Sequence, residues 1–302
     1  MVNLEGLAPR AALRAVAAAL EAAGCPDAGY DAGVLYALAA GPVHDPRLDA
    51  APLTADAAAR LARLTERRAG REPLQYIAGA WDFLDFTLKV GPGVLCPRPD
   101  TEVVCETAVA LLQDRAESAP APRVLDLCAG TGCLGLGVKR FVPAARVTCV
   151  EKSPAAFAYL EQNAAQALAG RGLTVEAVLG DAMAYAAACP ADSVDLVVSN
   201  PPYLTAAEMA ELQPETAREP AMALDGGADG LAFYRALASA CLPCVRSGGW
   251  LVFEIGWRQQ QAVEEIGRQA GWRGIAAGRD YGGNPRVVRM QKAPENGLQS
   301  NN

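Results

Sequence analysis

The chain holds a single histidine, His44, among 302 residues. A Ser-His-Asp relay would have to use it, and a histidine-rich metal site cannot be built around it. It sits in Gly41-Pro-Val-His-Asp-Pro46, a run of turn signals that predicts a surface loop. Aromatic residues are scarce, at 6%. Long apolar runs are missing: Arg14 breaks the alanine-rich stretch 11–20 and Glu106 breaks 103–112, well short of the ~20 residues that a membrane span needs. The first residues have no basic segment followed by an apolar core, which predicts no signal peptide. Excess positive charge is also lacking. The formal net charge is −7, against tight non-specific binding to duplex phosphates. Nine cysteines are present; without a secretion signal they predict reduced thiols in the cytoplasm. Cys241 and Cys244 form a CxxC with no second pair and no neighbouring histidine. They read as two small apolar residues near a helix end, and no metal site is expected.

What is present is core-forming. Apolar residues make up 51% and charged residues 20%, and the length suits about two domains at ~150 residues each. Residues 1–80 read as helical, with apolar positions at helical spacing in 7–23 and 30–39. Thr54 is a plausible N-cap for 55–69, with Asp56 in the first turn. Pro73 suits the first turn of a short helix ending near Gly79. Arg60, Arg63, Arg67 and Arg71 fall at spacings of three and four, on roughly one helix face. That face reads either as solvated surface or as a contact for an acidic or RNA-bound partner. Residues 81–90 partly alternate apolar and polar side chains and suggest a strand or hairpin between two domains, within a bridge spanning 81–96. Asp100 looks like the N-cap of a helix over 101–117, followed by a loop at 118–122.

From residue 123 strands alternate with helices. Strands are expected at 123–127, 146–151, 174–180, 194–199, 249–255, 274–278 and 286–290. Apolar, β-branched strands alternating with helices predict an α/β domain over 97–292, built on a mostly parallel, doubly wound sheet. The polar tail 293–302 is expected to be disordered.

The first strand of this sheet leads into Asp126-Leu-Cys-Ala-Gly-Thr-Gly-Cys-Leu-Gly135. Gly130, Gly132 and Gly135 spell GxGxxG, which brings backbone close to a ligand and turns sharply into a helix. Glu151 ends the second strand, where a carboxylate can accept from both ribose hydroxyls. The constellation fits a nicotinamide dinucleotide or S-adenosylmethionine equally. Asp181 and Ala182 follow the third strand at the same sheet edge, and Asp181 is placed to accept from an adenine amino group.

The fourth strand delivers Asn200-Pro201-Pro202-Tyr203 to that edge. Two prolines fix two φ angles and remove two donors. The Asn200 side-chain oxygen and the Pro201 carbonyl remain as stiff acceptors, suited to the two hydrogens of a planar NH2. Tyr203 can cover one face of that group. An amide nitrogen is a weak nucleophile because its lone pair is delocalised. Fixing both N–H bonds aims the nitrogen at a sulfonium methyl, and the same acceptors stabilise the positive charge that develops. No histidine is needed.

These segments, with Arg71-Glu-Pro-Leu-Gln-Tyr-Ile-Ala-Gly79, Pro97-Arg-Pro-Asp-Thr-Glu102, Glu219-Pro-Ala-Met-Ala-Leu224, Phe253-Glu-Ile-Gly-Trp257 and Arg279-Asp-Tyr-Gly282, resemble the peptide chain release factor N5-glutamine methyltransferases. The resemblance spans nearly all of residues 1–290. It implies a Rossmann-like, seven-stranded S-adenosylmethionine-dependent methyltransferase domain, a small all-helical N-terminal domain that docks substrate and a β-hairpin bridge. It also implies a substrate: the glutamine of the Gly-Gly-Gln motif in class I release factors. By the resemblance, Cys128, Ala129, Gly130, Thr131 and Gly132 line the methionine end of the cofactor. Glu151 meets the ribose, Asp181 and Ala182 border the adenine, and Asn200, Pro201, Pro202 and Tyr203 hold the glutamine, with Asn200 and Tyr203 catalytic. The family often carries aspartate where this chain has Glu151 and a larger residue where it has Ala182. Methylation of a ribosomal protein's glutamine and DNA adenine N6-methylation are the alternatives. The second fits poorly with a region 81–302 holding 25 acidic against 19 basic side chains. A monomer with no membrane or direct nucleic-acid contact is expected.

Overall fold

The computed structural model describes residues 4–41, 51–115 and 120–294. The expected loop at His44, residues 118 and 119 of the 118–122 connection and the tail beyond Pro294 fall outside them. The chain divides into two compact units, Met1–Trp81 with Leu212–Arg218, and Asp82–Glu211 with Glu219–Asn302.

The first unit is helical: α1 (Pro9–Ala22), α2 (Ala28–Ala40), α3 (Ala55–Ala69) and α4 (Leu74–Ala78). In α1 the buried residues Ala12, Val16 and Leu20 recur every fourth position. They pack with Leu35 and Tyr36 of α2 and Leu61 of α3, so the periodicity of the sequence is the periodicity of the core. Thr54 caps α3 by accepting from the Ala57 N–H. The arginine face is smaller than the spacing suggested. Arg71 lies beyond the helix end in a left-handed conformation, φ 61°, and its guanidinium pairs with Glu215 at 2.6 Å. Arg68, one residue off the counted face, is buried between Asp31 (2.6 Å) and Glu215 (2.7 Å). The distant segment 212–218 is thus fastened into this unit by charge, which no local pattern could show.

A hairpin strand pair follows, β1 (Ala80–Phe83), which begins in the last two residues of the first unit, and β2 (Phe86–Lys89) of the second unit. Helix α5 covers Pro99–Gln113. Its N-cap is Arg98 and not Asp100, which sits in the first turn. Pro99 needs no N–H bond and brings a helical φ, so the helix starts there. The sheet comprises β3 (Arg123–Leu127), β4 (Arg146–Glu151), β5 (Glu176–Leu179), β6 (Val194–Ser199), β7 (Val245–Glu254), β8 (Arg273–Arg279) and β9 (Pro285–Gln291). Their order is β5-β4-β3-β6-β7-β9-β8. Neighbours from β5 to β7 are parallel, and β9 runs antiparallel to both β7 and β8. Along β3, Val124 packs on one face with Leu196 and Val252, while Leu125 and Leu127 pack on the other with Val197 and Leu251. Both faces are covered, so these strands read as continuous apolar runs. Helices α6 (Cys133–Phe141) and α7 (Pro154–Ala167) cover one side. Helices α8 (Ala182–Ala188), α10 (Ala232–Cys244) and α11 (Gln260–Ala270) cover the other, after a short α9 (Ala206–Ala210). Cys241 and Cys244 are buried within α10, as apolar residues of the core. No described helix is long and apolar enough to cross a membrane.

Candidate active site

The chain leaves β3 for β4 in one direction and later returns to β6 on the other side. Loops following β3 and β6 therefore diverge from adjacent strand ends, at the switch point where open α/β sheets bind ligands. Leu127 and Ser199 are paired in register there, and the Ser199 hydroxyl donates to the Leu127 carbonyl at 2.6 Å.

The loop after β3 is strained and tightly held. Cys128 takes φ 63°, a conformation that costs a non-glycine residue about 1–3 kcal/mol and is characteristic of ligand sites. Its neighbour Ala129 donates to Val150 at 3.0 Å, and Gly132 donates back to Ala129 at 2.7 Å. Gly132 has φ 83°, and a Cβ there would lie 2.5 Å from Leu160 Cδ1. Asp126 is fully buried in β3. Its Oδ2 accepts the Gly135 N–H at 2.8 Å, and its Oδ1 has no hydrogen-bond partner among the described residues. Burial pushes its carboxyl up to about 7.

Glu151 ends β4 almost wholly buried. Its Oε2 accepts from Gly130 N–H at 2.8 Å and its Oε1 from Ser153 N–H at 2.6 Å. The carboxylate is locked in place, and each oxygen keeps a lone pair for a hydroxyl. Asp181 has a second duty. It caps α8 by accepting from Ala184 at 3.0 Å and pairs with Lys152 at 3.1 Å; those contacts, the cap first, hold its carboxyl below the usual range. Any adenine amino group would have to share it. Ala182 begins α8 and is buried.

These residues meet at a cavity of about 330 Å³, at the small end of the size range for ligand pockets. Of the residues singled out in the sequence, Cys128, Ala129, Gly130, Thr131, Glu151, Asp181, Ala182, Asn200 and Pro202 line it. Gly132, Pro201 and Tyr203 do not. Gly132 turns the chain into α6. Tyr203 packs partly buried on the core beside α10, with its hydroxyl 3.4 Å from Glu254 Oε1. The walls are mostly apolar. Lys152 is the one basic residue among the described lining residues, and Asp181 already neutralises it. That donor set suits a nucleoside without phosphates better than a dinucleotide, whose pyrophosphate needs free charge or donors.

The Asn200–Tyr203 loop is clamped from several sides. Leu204 donates to Leu224 and Gly226 to Leu204, each at 2.8 Å. The Gln259 amide donates to the Tyr203 carbonyl at 2.9 Å. Beneath the loop, Asn200 Nδ2 donates to Thr101 Oγ1 at 3.4 Å, and Thr101 Oγ1 donates to Glu254 Oε2 at 2.6 Å. Thr101 and Glu254 lie inside segments quoted for the family resemblance, yet nothing in their spacing joins them to Asn200. Asn163 of α7 had no sequence signal beyond being an amide among alanines. Buried, it accepts from Lys89 N–H at 2.7 Å and donates to the Thr131 carbonyl at 3.0 Å, bracing the glycine loop against β2.

Comparison with known proteins agrees with this geometry. Residues 92–224 match the methyltransferase small domain family, and residues 11–79 match the PrmC N-terminal domain family. The release factor glutamine methyltransferase of Mycolicibacterium smegmatis is 38% identical over 283 residues, covering 92% of this chain and 96% of that protein. The protein of the same name from Geobacter sulfurreducens is 40% identical over 242 residues, covering 78% and 79%. A methyltransferase structure from Pyrococcus furiosus covers 76% of this chain and 99% of its own, at 16% identity and a TM-score of 0.52; it shows the fold. With a methyltransferase sheet, an Asn-Pro-Pro-Tyr loop opening beside the glycine loop, and the Mycolicibacterium relative matched nearly end to end, the chain belongs to the release factor glutamine methyltransferase family.

Proposed function

We propose that this protein transfers a methyl group from S-adenosylmethionine to the side-chain amide nitrogen of the Gly-Gly-Gln glutamine in class I release factors. The observation that carries the reading is the placement of Asn200 and the Cys128–Thr131 loop on the wall of one cavity, from adjacent strand ends. The helical unit is the docking element for the substrate protein, and the enzyme acts as a cytoplasmic monomer on translation termination.

S-adenosylmethionine supplies an electrophilic methyl group on a positively charged sulfur. The Cys128–Thr131 backbone and Ala129 border its amino-acid end, Glu151 accepts from the ribose hydroxyls, and Ala182 leaves space beside the base. The mostly apolar walls exclude water from the reacting atoms. Asn200 Oδ1, on the cavity wall, and the Pro201 carbonyl, in the chain between the wall residues Asn200 and Pro202, take the two amide hydrogens of glutamine. The nitrogen is then oriented, and the same dipoles stabilise the positive charge that grows on it as the bond forms. The excess proton leaves to water. Neither step requires a general base, in keeping with the single histidine.

The test incubates the protein with methyl-labelled S-adenosylmethionine and a purified release factor, then maps the label by mass spectrometry. Label on the Gly-Gly-Gln glutamine supports the reading. An unlabelled release factor with a labelled ribosomal protein or adenine in parallel reactions overturns it.

A further inference from the structure

The Asn200 carboxamide has an acceptor end and a donor end of nearly equal size, and only the acceptor end can hold a substrate N–H. We infer that Glu254, acting through the Thr101 hydroxyl, determines which end faces the cavity, so that Thr101 and Glu254 are positioning residues for the methyl-accepting amide. The inference rests on the function proposed above.

The geometry is directional. Thr101 lies in the first turn of α5 and Glu254 at the end of β7, each about 1% exposed. A hydroxyl has one hydrogen. Thr101 gives its hydrogen to Glu254 Oε2 at 2.6 Å, since an ionised carboxylate can only accept. Toward Asn200 the Thr101 oxygen is left with lone pairs alone. It therefore selects the NH2 end, Nδ2 at 3.4 Å, and Oδ1 is the end left for substrate. Register explains why the groups meet. Ser199 pairs with Phe253 across β6 and β7, so the next residues, Asn200 just past β6 and Glu254 at the end of β7, stand side by side. The second carboxylate oxygen, Oε1, accepts from the Tyr203 hydroxyl at 3.4 Å. One buried carboxylate thus supports both ends of Asn-Pro-Pro-Tyr.

The relay reverses if Glu254 is protonated. The acid proton can then be donated to Thr101, whose own hydrogen is freed to turn toward Asn200. That partner selects Oδ1, and Nδ2 swings toward the substrate NH2, donor against donor. The surroundings hold Glu254 close to this change. Burial raises its carboxyl to about 7, against the opposing pull of the Thr101 bond, Arg286 and the Tyr203 bond, with Asp100 adding to the rise. Arg286 of β9 is itself shared with Asp100 at 3.1 Å and Asp280 at 3.4 Å. From α10 the Tyr234 hydroxyl donates to the Glu254 main-chain oxygen at 3.0 Å, and from α6 the buried Cys133 thiol, its own pKa pushed up chiefly by burial, feels the Glu254 charge.

The experiment compares wild type, Thr101→Val, Thr101→Ser and Glu254→Gln as full-length chains. It measures kcat and KM on a release factor from pH 5.5 to 9, with S-adenosylmethionine affinity by calorimetry. Valine keeps the shape and deletes the relay; serine keeps the hydroxyl; glutamine keeps an acceptor for Thr101 and cannot titrate. The expectation is a kcat roughly 30-fold lower in Thr101→Val, from misoriented substrate, with cofactor affinity within about threefold and Thr101→Ser close to wild type. Wild-type kcat should rise with pH through about 7, and Glu254→Gln should lose that acid limb. The inference is overturned if Thr101→Val works at the wild-type rate, if Thr101→Ser is as impaired as Thr101→Val, or if Glu254→Gln keeps the limb. Should Thr101→Val not fold, the pH comparison decides alone. A wild-type enzyme that leaves the release factor unmethylated would instead overturn the proposed function.

Discussion

Glu219 and Arg98, 121 residues apart in sequence, are joined by an ion pair whose carboxylate also accepts from the Cys96 N–H at 3.0 Å. Cys96 and Pro97 line one part of the cavity rim and Pro220 another. One nearly buried carboxylate therefore fixes two rim segments to each other. Glu219→Ala leaves the buried Cys96 N–H without a partner, at about 1–3 kcal/mol. We expect a melting temperature lower by several degrees and a weaker cofactor affinity. Calorimetry measures both, and wild-type values for the two together would show that the rim stands without this pair.

Asn200→Ala removes one of the two acceptors for the substrate amide. An unmade hydrogen bond costs ~1–3 kcal/mol, and more where charge develops in the transition state. Methyl transfer should fall to background while cofactor affinity changes far less. Wild-type turnover in this variant would remove Asn200 from the chemistry.

Glu151→Gln keeps the shape of the β4 terminus and exchanges one acceptor oxygen for a donor. Both oxygens already accept main-chain N–H groups, at 2.8 and 2.6 Å, so one of those contacts becomes donor against donor. Cofactor affinity should drop by about tenfold or more, equivalent to ~1.4 kcal/mol, with KM for the protein substrate little changed. Titration calorimetry separates the two, and an unaltered cofactor affinity would refute the assignment.

Glu215 gives the helical unit an acid dependence. Burial alone would raise its carboxyl, but the Arg71 and Arg68 guanidinium groups outweigh it and hold the group down at about 2. A folded-state value below the unfolded one contributes stability that is complete above the ordinary 4.5 and is lost as pH falls from there toward 2. Glu215→Gln should destabilise the protein at pH 7 and lose less stability than wild type between pH 5 and 3. Asp31, retained in both chains, shares Arg68 with Glu215, and its carboxyl is raised by burial and, less strongly, by the Glu215 charge, so the difference between the curves reads the Glu215–Arg68–Asp31 cluster as one unit. Parallel stability–pH curves would show that the guanidinium contacts contribute nothing.

The sequence determined what depends on local order. Period-four apolar positions in α1 and continuous apolar runs in β3 and β6 dictate helix and buried strand whatever surrounds them. The Thr54 cap follows from a side chain and a backbone three residues apart. The GxGxxG loop and the adjacent prolines carry their backbone constraints in their own covalent structure. Even here Pro99 overrode the expected cap at Asp100, because a proline at the first helical position outweighs a capping side chain one residue later. Tertiary structure alone decided the rest. Thr101, Asn200 and Glu254 form one hydrogen-bonded chain only because β6 and β7 pair in register and α5 packs beside them. Arg68 became a buried anchor for Glu215, 147 residues away, while Arg60, Arg63 and Arg67 of the same helix remained at the surface. Periodicity records which side of an element is apolar; it carries no record of which distant side chain satisfies a buried charge, since that pairing exists only once the chain has folded.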